Sequence, residues 1–101
     1  MYYLDYAAAT PMDEKVLAAM LPYFREKFYN PSSAYSPARA VRLEYENARH
    51  DIAKILGARS AEIVMTAGVT EAINLALTSI GQGKIITSAV EHDSVLNAAR
   101  A

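Results

Sequence analysis

Apolar positions recur at helical spacing through the first half of the chain. Val16, Leu17, Met20, Leu21 and Phe24 fall on one face, and Glu14, Lys15, Arg25, Glu26 and Lys27 fall on the other. Thr10 suits an N-cap, Pro11 a first helical position and Asp13 the acid of a capping box, so the pattern predicts a helix opening at residue 11. Pro22 has no amide to donate and is expected to bend or restart that helix. A longer helix is predicted over residues 37–56, opened by Ser36-Pro37 and closed by Gly57. Its apolar stripe is Val41, Tyr45, Ala48, Ile52 and Ile55. Between the two helices, Tyr29 to Ser33 reads as a loop by composition.

After Gly57 the period changes. Residues 62–66 are short, apolar and β-rich, which predicts a buried strand, and residues 67–70 predict a tight turn. A helix over residues 71–79 follows, with Ile73, Leu77 and Ile80 on one side, and Gly81-Gln82-Gly83 breaks it. Residues 84–87 predict a second strand, and a last helix begins near His92 or Asp93. Strand, helix, strand implies a parallel pair with a right-handed crossover, covered by helices on both faces. The expected class is therefore α/β, with helices packed on a partial parallel sheet. Two strands make a meagre sheet of this kind, so the chain is expected to be part of something larger or to associate. Residues 2–9 form an apolar, tyrosine-rich arm ahead of all this.

Composition narrows the function classes. Of the 101 residues, 52% are hydrophobic and 21% charged, an ordinary balance for a globular chain. A net charge of −1 gives no basic footprint for nucleic acid or for a membrane surface. With no cysteine, the chain has no disulfide, no thiolate metal site and no thiol nucleophile. No apolar run approaches the ~20 residues that span a bilayer. Residues 1–5 show no basic stretch followed by an apolar run, so a cytoplasmic setting is expected. No spacing of His, Asp and Glu suggests a metal site, and there is no Walker-type loop.

Three stretches can carry chemistry. In Thr66-Ala67-Gly68-Val69-Thr70-Glu71 a predicted strand runs through a glycine turn into a helix. Unpaired amides at a helix N-terminus suit a phosphate, Gly68 allows close approach, and Thr70 adds a hydroxyl. A helix simply capped by Thr70, with Gly68 serving the turn, is on spacing alone the commoner explanation. His92, in Val90-Glu91-His92-Asp93, would lie beyond the carboxyl end of the second strand, where ligands collect in open α/β sheets. There it could stack on a ring or move protons; a histidine exposed in a first helical turn is the plainer alternative. Asn30-Pro31-Ser32-Ser33 is either a loop that reaches a substrate or only a turn. His50, between Arg49 and Asp51, reads as a surface residue.

Taken in order, Tyr3 to Pro11, Asn30 to Ser33, Glu62 to Glu71, Ile85 to Ser88 and Glu91-His92 resemble the cysteine desulfurases. That family belongs to the class V aminotransferases, with the fold type I architecture of pyridoxal-phosphate (PLP) enzymes. The resemblance runs over the whole chain and implies roles for matching positions. Val69 matches a residue that holds the PLP phosphate through its N–H, and Thr70 one that adds its hydroxyl. His92 matches the histidine that stacks on the pyridine ring and aids proton transfer. Asn74 matches a position at the motif's end. Asn30, Ser32 and Ser33 match a loop near the active site. Residues 1–11 match an arm joining the small domain, and residues 12–101 match the first part of the large PLP-binding domain.

The resemblance implies a PLP-dependent conversion of L-cysteine to L-alanine, with the sulfur passed to an enzyme persulfide and on to an acceptor protein. That chemistry serves iron–sulfur cluster biogenesis, in a homodimer. Several positions depart from the pattern. Ala9 and Ala67 stand where threonine and serine are frequent, and Tyr35 and Ala38 where histidine and glycine are frequent. The joint at Gly81-Gln82-Gly83 is shorter than usual. Lys15, Lys27, Lys54 and Lys84 match none of the family's Schiff-base pattern, which lies beyond Ala101. The same holds for the acid that pairs with the pyridine nitrogen, the substrate arginine and the sulfur-accepting cysteine. The chain alone is therefore expected not to turn over substrate. Other readings remain open at this point: another class V enzyme such as a selenocysteine lyase, a non-catalytic self-associating α/β unit, or a phosphate- or nucleotide-binding α/β unit. The last is disfavoured by a turn with one glycine and no lysine.

Overall fold

The computed structural model describes residues 2–81 and 83–100. Met1, Gln82 and Ala101, which fall in the expected arm, glycine break and last helix, lie outside the described residues. The elements in chain order are α1 (Glu14–Arg25), α2 (Ser36–Ile55), a 3₁₀ turn (Ser60–Glu62), α3 (Val69–Ser79) and α4 (Asp93–Arg100). They fall into two compact units, residues 1–60 and 61–101. No helix among the described residues is long and apolar enough to cross a membrane.

In the first unit, α1 opens three residues later than expected. Asp13, not Thr10, is the N-cap, and its Oδ1 accepts the amides of Lys15 at 2.8 Å and Val16 at 3.3 Å. A carboxylate caps a helix and meets its positive end at once, which Thr10 cannot do, so Pro11 is left outside. Pro22 does not restart the helix. It sits inside α1, and its carbonyl accepts the amides of Glu26 and Lys27. α2 has Tyr35 as its N-cap residue, with no side-chain cap, and Ser36-Pro37 form its first turn. It ends as its sequence suggests. The Ala58 amide reaches the Ala53 carbonyl and the Gly57 amide reaches that of Lys54, with Gly57 at φ +66°.

Polar side chains tie α1 to α2. The Tyr23 hydroxyl donates to Glu44 at 2.5 Å, and Lys27 Nζ donates to the other Glu44 oxygen at 2.7 Å. The hydrogen bond from Lys27, then that from Tyr23, lowers the Glu44 pKa, while their bonds to Glu44 raise those of Lys27 and Tyr23. A carboxyl group with a lowered folded pKa adds stability above its ordinary value and loses it as pH falls through the lowered one. The first unit should therefore weaken as pH drops below the ordinary 4.5. A Glu44→Gln variant should flatten that limb of a denaturation-against-pH curve, and an unchanged limb would mean that the cluster carries no linkage.

The second unit departs from the expected sheet. No β-strand occurs among the described residues; residues 63–66 and 84–87 make no ladder with each other. Apolar, β-prone sequence gives a segment readiness to pair, but a strand exists only with a neighbour, and parallel strands require both faces covered. Here Val64 is 66% exposed and Ile86 96%. What organises this unit is the packing of α3 on α4. Ile73 and Leu77 of α3, and Val95 and Leu96 of α4, are half-buried. Among the described residues the fully buried apolar side chains are Ala38 and Ala53, both on α2. The stripes of α1 and α2 keep Phe24 and Ile55 largely exposed.

Candidate functional site

The turn before α3 is braced from three sides. The Thr66 hydroxyl donates to the Gly68 carbonyl at 3.2 Å, and the Ala67 amide donates to the Glu71 carboxylate at 2.7 Å. The Gly68 carbonyl accepts the Ala72 amide at 3.1 Å, the first bond of the helix. Gly68 is thus the N-cap, with no side chain to satisfy the amides that follow. Thr70 lies inside the first turn, so Gly68 and not Thr70 is the cap residue. The turn does not need its glycine either. Gly68 has φ 169°, extended backbone open to any residue, and a Cβ there would meet nothing within 4 Å.

The result is a helix start whose Val69 and Thr70 amides lack a side-chain cap, with the Thr70 hydroxyl beside them. Val69 is 69% exposed. One turn on, Asn74 Nδ2 donates to the Thr70 carbonyl at 2.7 Å, so Asn74 braces the turn that carries Thr70. The donor set, two or three backbone amides and a hydroxyl at a helix N-terminus, fits a phosphate dianion.

His92 reaches the same place by a different route from the one expected. Among the described residues no strand end carries it. It is the residue that caps α4: its carbonyl accepts the amides of Val95 at 2.8 Å and Leu96 at 3.2 Å. Its Nδ1 accepts the Ser94 amide at 3.2 Å and lies 2.8 Å from the Ser94 hydroxyl. Packing of α3 on α4 sets His92, Ser94 and Asn97 along one open cleft of about 380 Å³ with Thr70 and Asn74. A second concavity in front of α3 is lined by Ala67, Gly68, Val69 and Glu71. Thr70 and Asn74 line both concavities, the one with Gly68 and Val69 and the one with His92.

Asn30, Ser32 and Ser33 belong to the first unit. Asn30 Oδ1 accepts the Ser32 amide at 2.9 Å, the Asn30 carbonyl accepts the Ser33 amide at 3.0 Å, and Arg42 Nε donates to the Pro31 carbonyl at 2.8 Å. This is a pinned turn, with Asn30's side-chain oxygen spent within it. His50 lies exposed with Nδ1 3.1 Å from the Ser60 hydroxyl. Among the described residues no three His, Cys, Asp or Glu side chains converge as metal ligands would.

Sequence reasoning gave no role to Glu71, Ser94 or Arg42. Glu71 was legible as an acid in a helix's first turn, the place where a carboxylate reaches back to a free amide. Ser94 carried no signal because helix caps are usually short oxygen-bearing side chains and a histidine cap is uncommon.

The model of the aminotransferase class-V family matches residues 2–101, and the chain belongs to that family. Its relatives are cysteine desulfurases. It is 44% identical to the cysteine desulfurase of Frankia sp. over all of this chain and 26% of that protein. It is 49% identical to the cysteine desulfurase IscS of Dictyoglomus turgidum over 93% of this chain and 25% of that one. Among solved structures, a NifS-like protein matches with a TM-score of 0.85 at 36% identity, over 95% of this chain and 28% of the other. The chain spans about a quarter of the length of the curated relatives it matches. The resemblance read from the motifs holds over the whole chain, while no strand of the partial sheet occurs among the described residues.

Proposed function

We propose that this chain is the N-terminal portion of a PLP-dependent cysteine desulfurase and supplies the phosphate end of the cofactor site. One observation carries the proposal: the uncapped start of α3 bears Thr70 in the same cleft as His92. The Val69 and Thr70 amides and the Thr70 hydroxyl would bind the phosphate. Asn74 would hold Thr70's turn in place, and His92 would lie alongside the pyridine ring and move a proton at Nε2. When bound, PLP would supply the electron sink that stabilises negative charge at the substrate Cα, chemistry that accompanies loss of sulfur from Cβ.

The remaining parts of the reading rest on family membership. The substrate would be L-cysteine, with L-alanine and a persulfide sulfur for an acceptor protein as products, in the cytoplasm and in the service of iron–sulfur clusters. Residues 1–11 would form the arm on the small-domain side and residues 12–101 the first part of the large domain, with Asn30, Ser32 and Ser33 in the substrate loop. The lysine, acid and thiol that the reaction needs would come from residues that this chain does not contain.

The test is a titration of the purified chain with PLP, followed by amide NMR. Saturable shifts at Gly68 to Glu71 and at His92 are expected. Thr70→Ala should weaken binding about tenfold, the worth of one hydrogen bond to a charged group. Pyridoxal without its phosphate should leave Gly68 to Glu71 unmoved. A well-folded chain whose spectrum PLP does not perturb would overturn the cradle.

A second reading is favoured by the exposed apolar side chains, Leu4, Ile55, Ile86 and Val90 among them. Surfaces of this kind drive association, and the family expectation is a homodimer. Sedimentation across a hundredfold range of concentration should show mass rising with concentration. A constant monomer would remove self-association.

A further inference from the structure

The cap on α4 determines which nitrogen of His92 carries the proton. An amide N–H can only donate, and the Ser94 amide lies 3.2 Å from His92 Nδ1. Nδ1 must therefore be the bare nitrogen, and in the neutral ring the proton sits on Nε2. The Ser94 hydroxyl, 2.8 Å from the same Nδ1, can rotate to donate as well. Ser94 is 9% exposed and is the one buried polar side chain among the described residues, so water has little access to replace it. Among the described residues no amide holds the ring of the other histidine in this way. The exposed His50 has Nδ1 3.1 Å from the Ser60 hydroxyl, which can donate or accept.

We infer that Ser94 is a positioning residue. Its hydroxyl and amide hold His92 as the Nε2–H tautomer with Nδ1 turned into the start of α4, leaving Nε2–H as the group offered to a ligand in the cleft with Thr70 and Asn74. The inference rests on the proposed cofactor site for its purpose, but the tautomer is set by residues of this chain alone. It gives the ring a defined polarity. A ligand atom at Nε2 meets a donor, so an acceptor is favoured there, and any proton that leaves the ring leaves from Nε2. The locked second nitrogen keeps the ring from turning over, as second-partner hydrogen bonds do for functional histidines elsewhere.

The experiment is ¹⁵N NMR of the imidazole nitrogens in the whole chain, without cofactor, at about pH 8.5, where an ordinary imidazole is neutral. His92 should show a bare Nδ1 and a protonated Nε2. Ser94→Ala keeps the amide and loses the hydroxyl, so both His92 ring resonances should move part of the way toward the averaged values of a free imidazole, those of His50 should stay, and Ser94→Thr should restore the original pair. A protonated Nδ1 in the wild-type chain would overturn the inference. So would His92 resonances that do not move in Ser94→Ala while its α4 amides show the helix intact. Because no cofactor is present, failure of PLP to bind leaves this readout unaffected, and the two ideas fail separately.

Discussion

Gly68→Ala is expected to leave the chain at least as stable as before and to weaken PLP binding tenfold or more. The two halves of that expectation come from different facts. The backbone at Gly68 is extended, at φ 169° and ψ 178°, and the space where a Cβ would stand is open to 4 Å. Nothing in the fold strains against a methyl group. Alanine also narrows the unfolded ensemble, which is worth about 0.4–1 kcal/mol in favour of folding where the native conformation is compatible. The binding half follows from the same open space. A phosphate on the Val69 and Thr70 amides must approach the backbone of the residue before them. A methyl group there takes up room that the oxygens need and screens the amides from them.

Two measurements check this: a urea midpoint for stability and the PLP titration for affinity. Stability held with affinity lost would mean that the glycine serves a ligand and the turn only incidentally. Loss of both would mean that the turn needs glycine in solution after all. Affinity unchanged would place the phosphate elsewhere. Gly57 is the useful contrast, because at φ +66° its glycine is demanded by the end of α2 and by no ligand.

The helices were legible because their signals are local. The 3.6-residue stripes of α1 and α2 and the stop at Gly57 depend on neighbours within one turn. So does the helix start after Gly68, which opens two residues ahead of its expected place. Residues 62–66 and 84–87 read as strands yet pair with nothing among the described residues, since pairing is a property of two segments and sequence shows only the readiness of each. Pattern also shows which face of a helix is apolar and never what covers it, so the stripe on α2 predicted a core that Ile55 does not join. The site was legible where a motif ties residue type to backbone position, as in Gly68-Val69-Thr70. It was obscure at His92, whose place comes from α3 packing on α4 and whose role as a cap comes from a ring nitrogen.

Ala38→Leu is expected to destabilise the first unit by about 1–3 kcal/mol, the usual cost of overpacking. Ile86→Ala should change stability by no more than about 0.5 kcal/mol, as surface substitutions do. Ordinary globular proteins behave in the opposite way, since Ile→Ala in a core costs about 2–5 kcal/mol. The inversion follows from burial. Ala38 is 0% exposed, on the first turn of α2, whereas Ile86 is 96% exposed. Ala38 also stands where the cysteine desulfurase pattern often has glycine, so a small residue is what the site accommodates, and leucine adds three carbons with nowhere to go. Denaturation in urea at two protein concentrations decides the matter. A loss of 2 kcal/mol or more for Ile86→Ala at both concentrations would mean that Ile86 is buried within the folded chain. The same loss at the higher concentration alone would mean that a second copy covers it. In that case the apolar faces are the chain's association surface, and its stability is a property of the assembly.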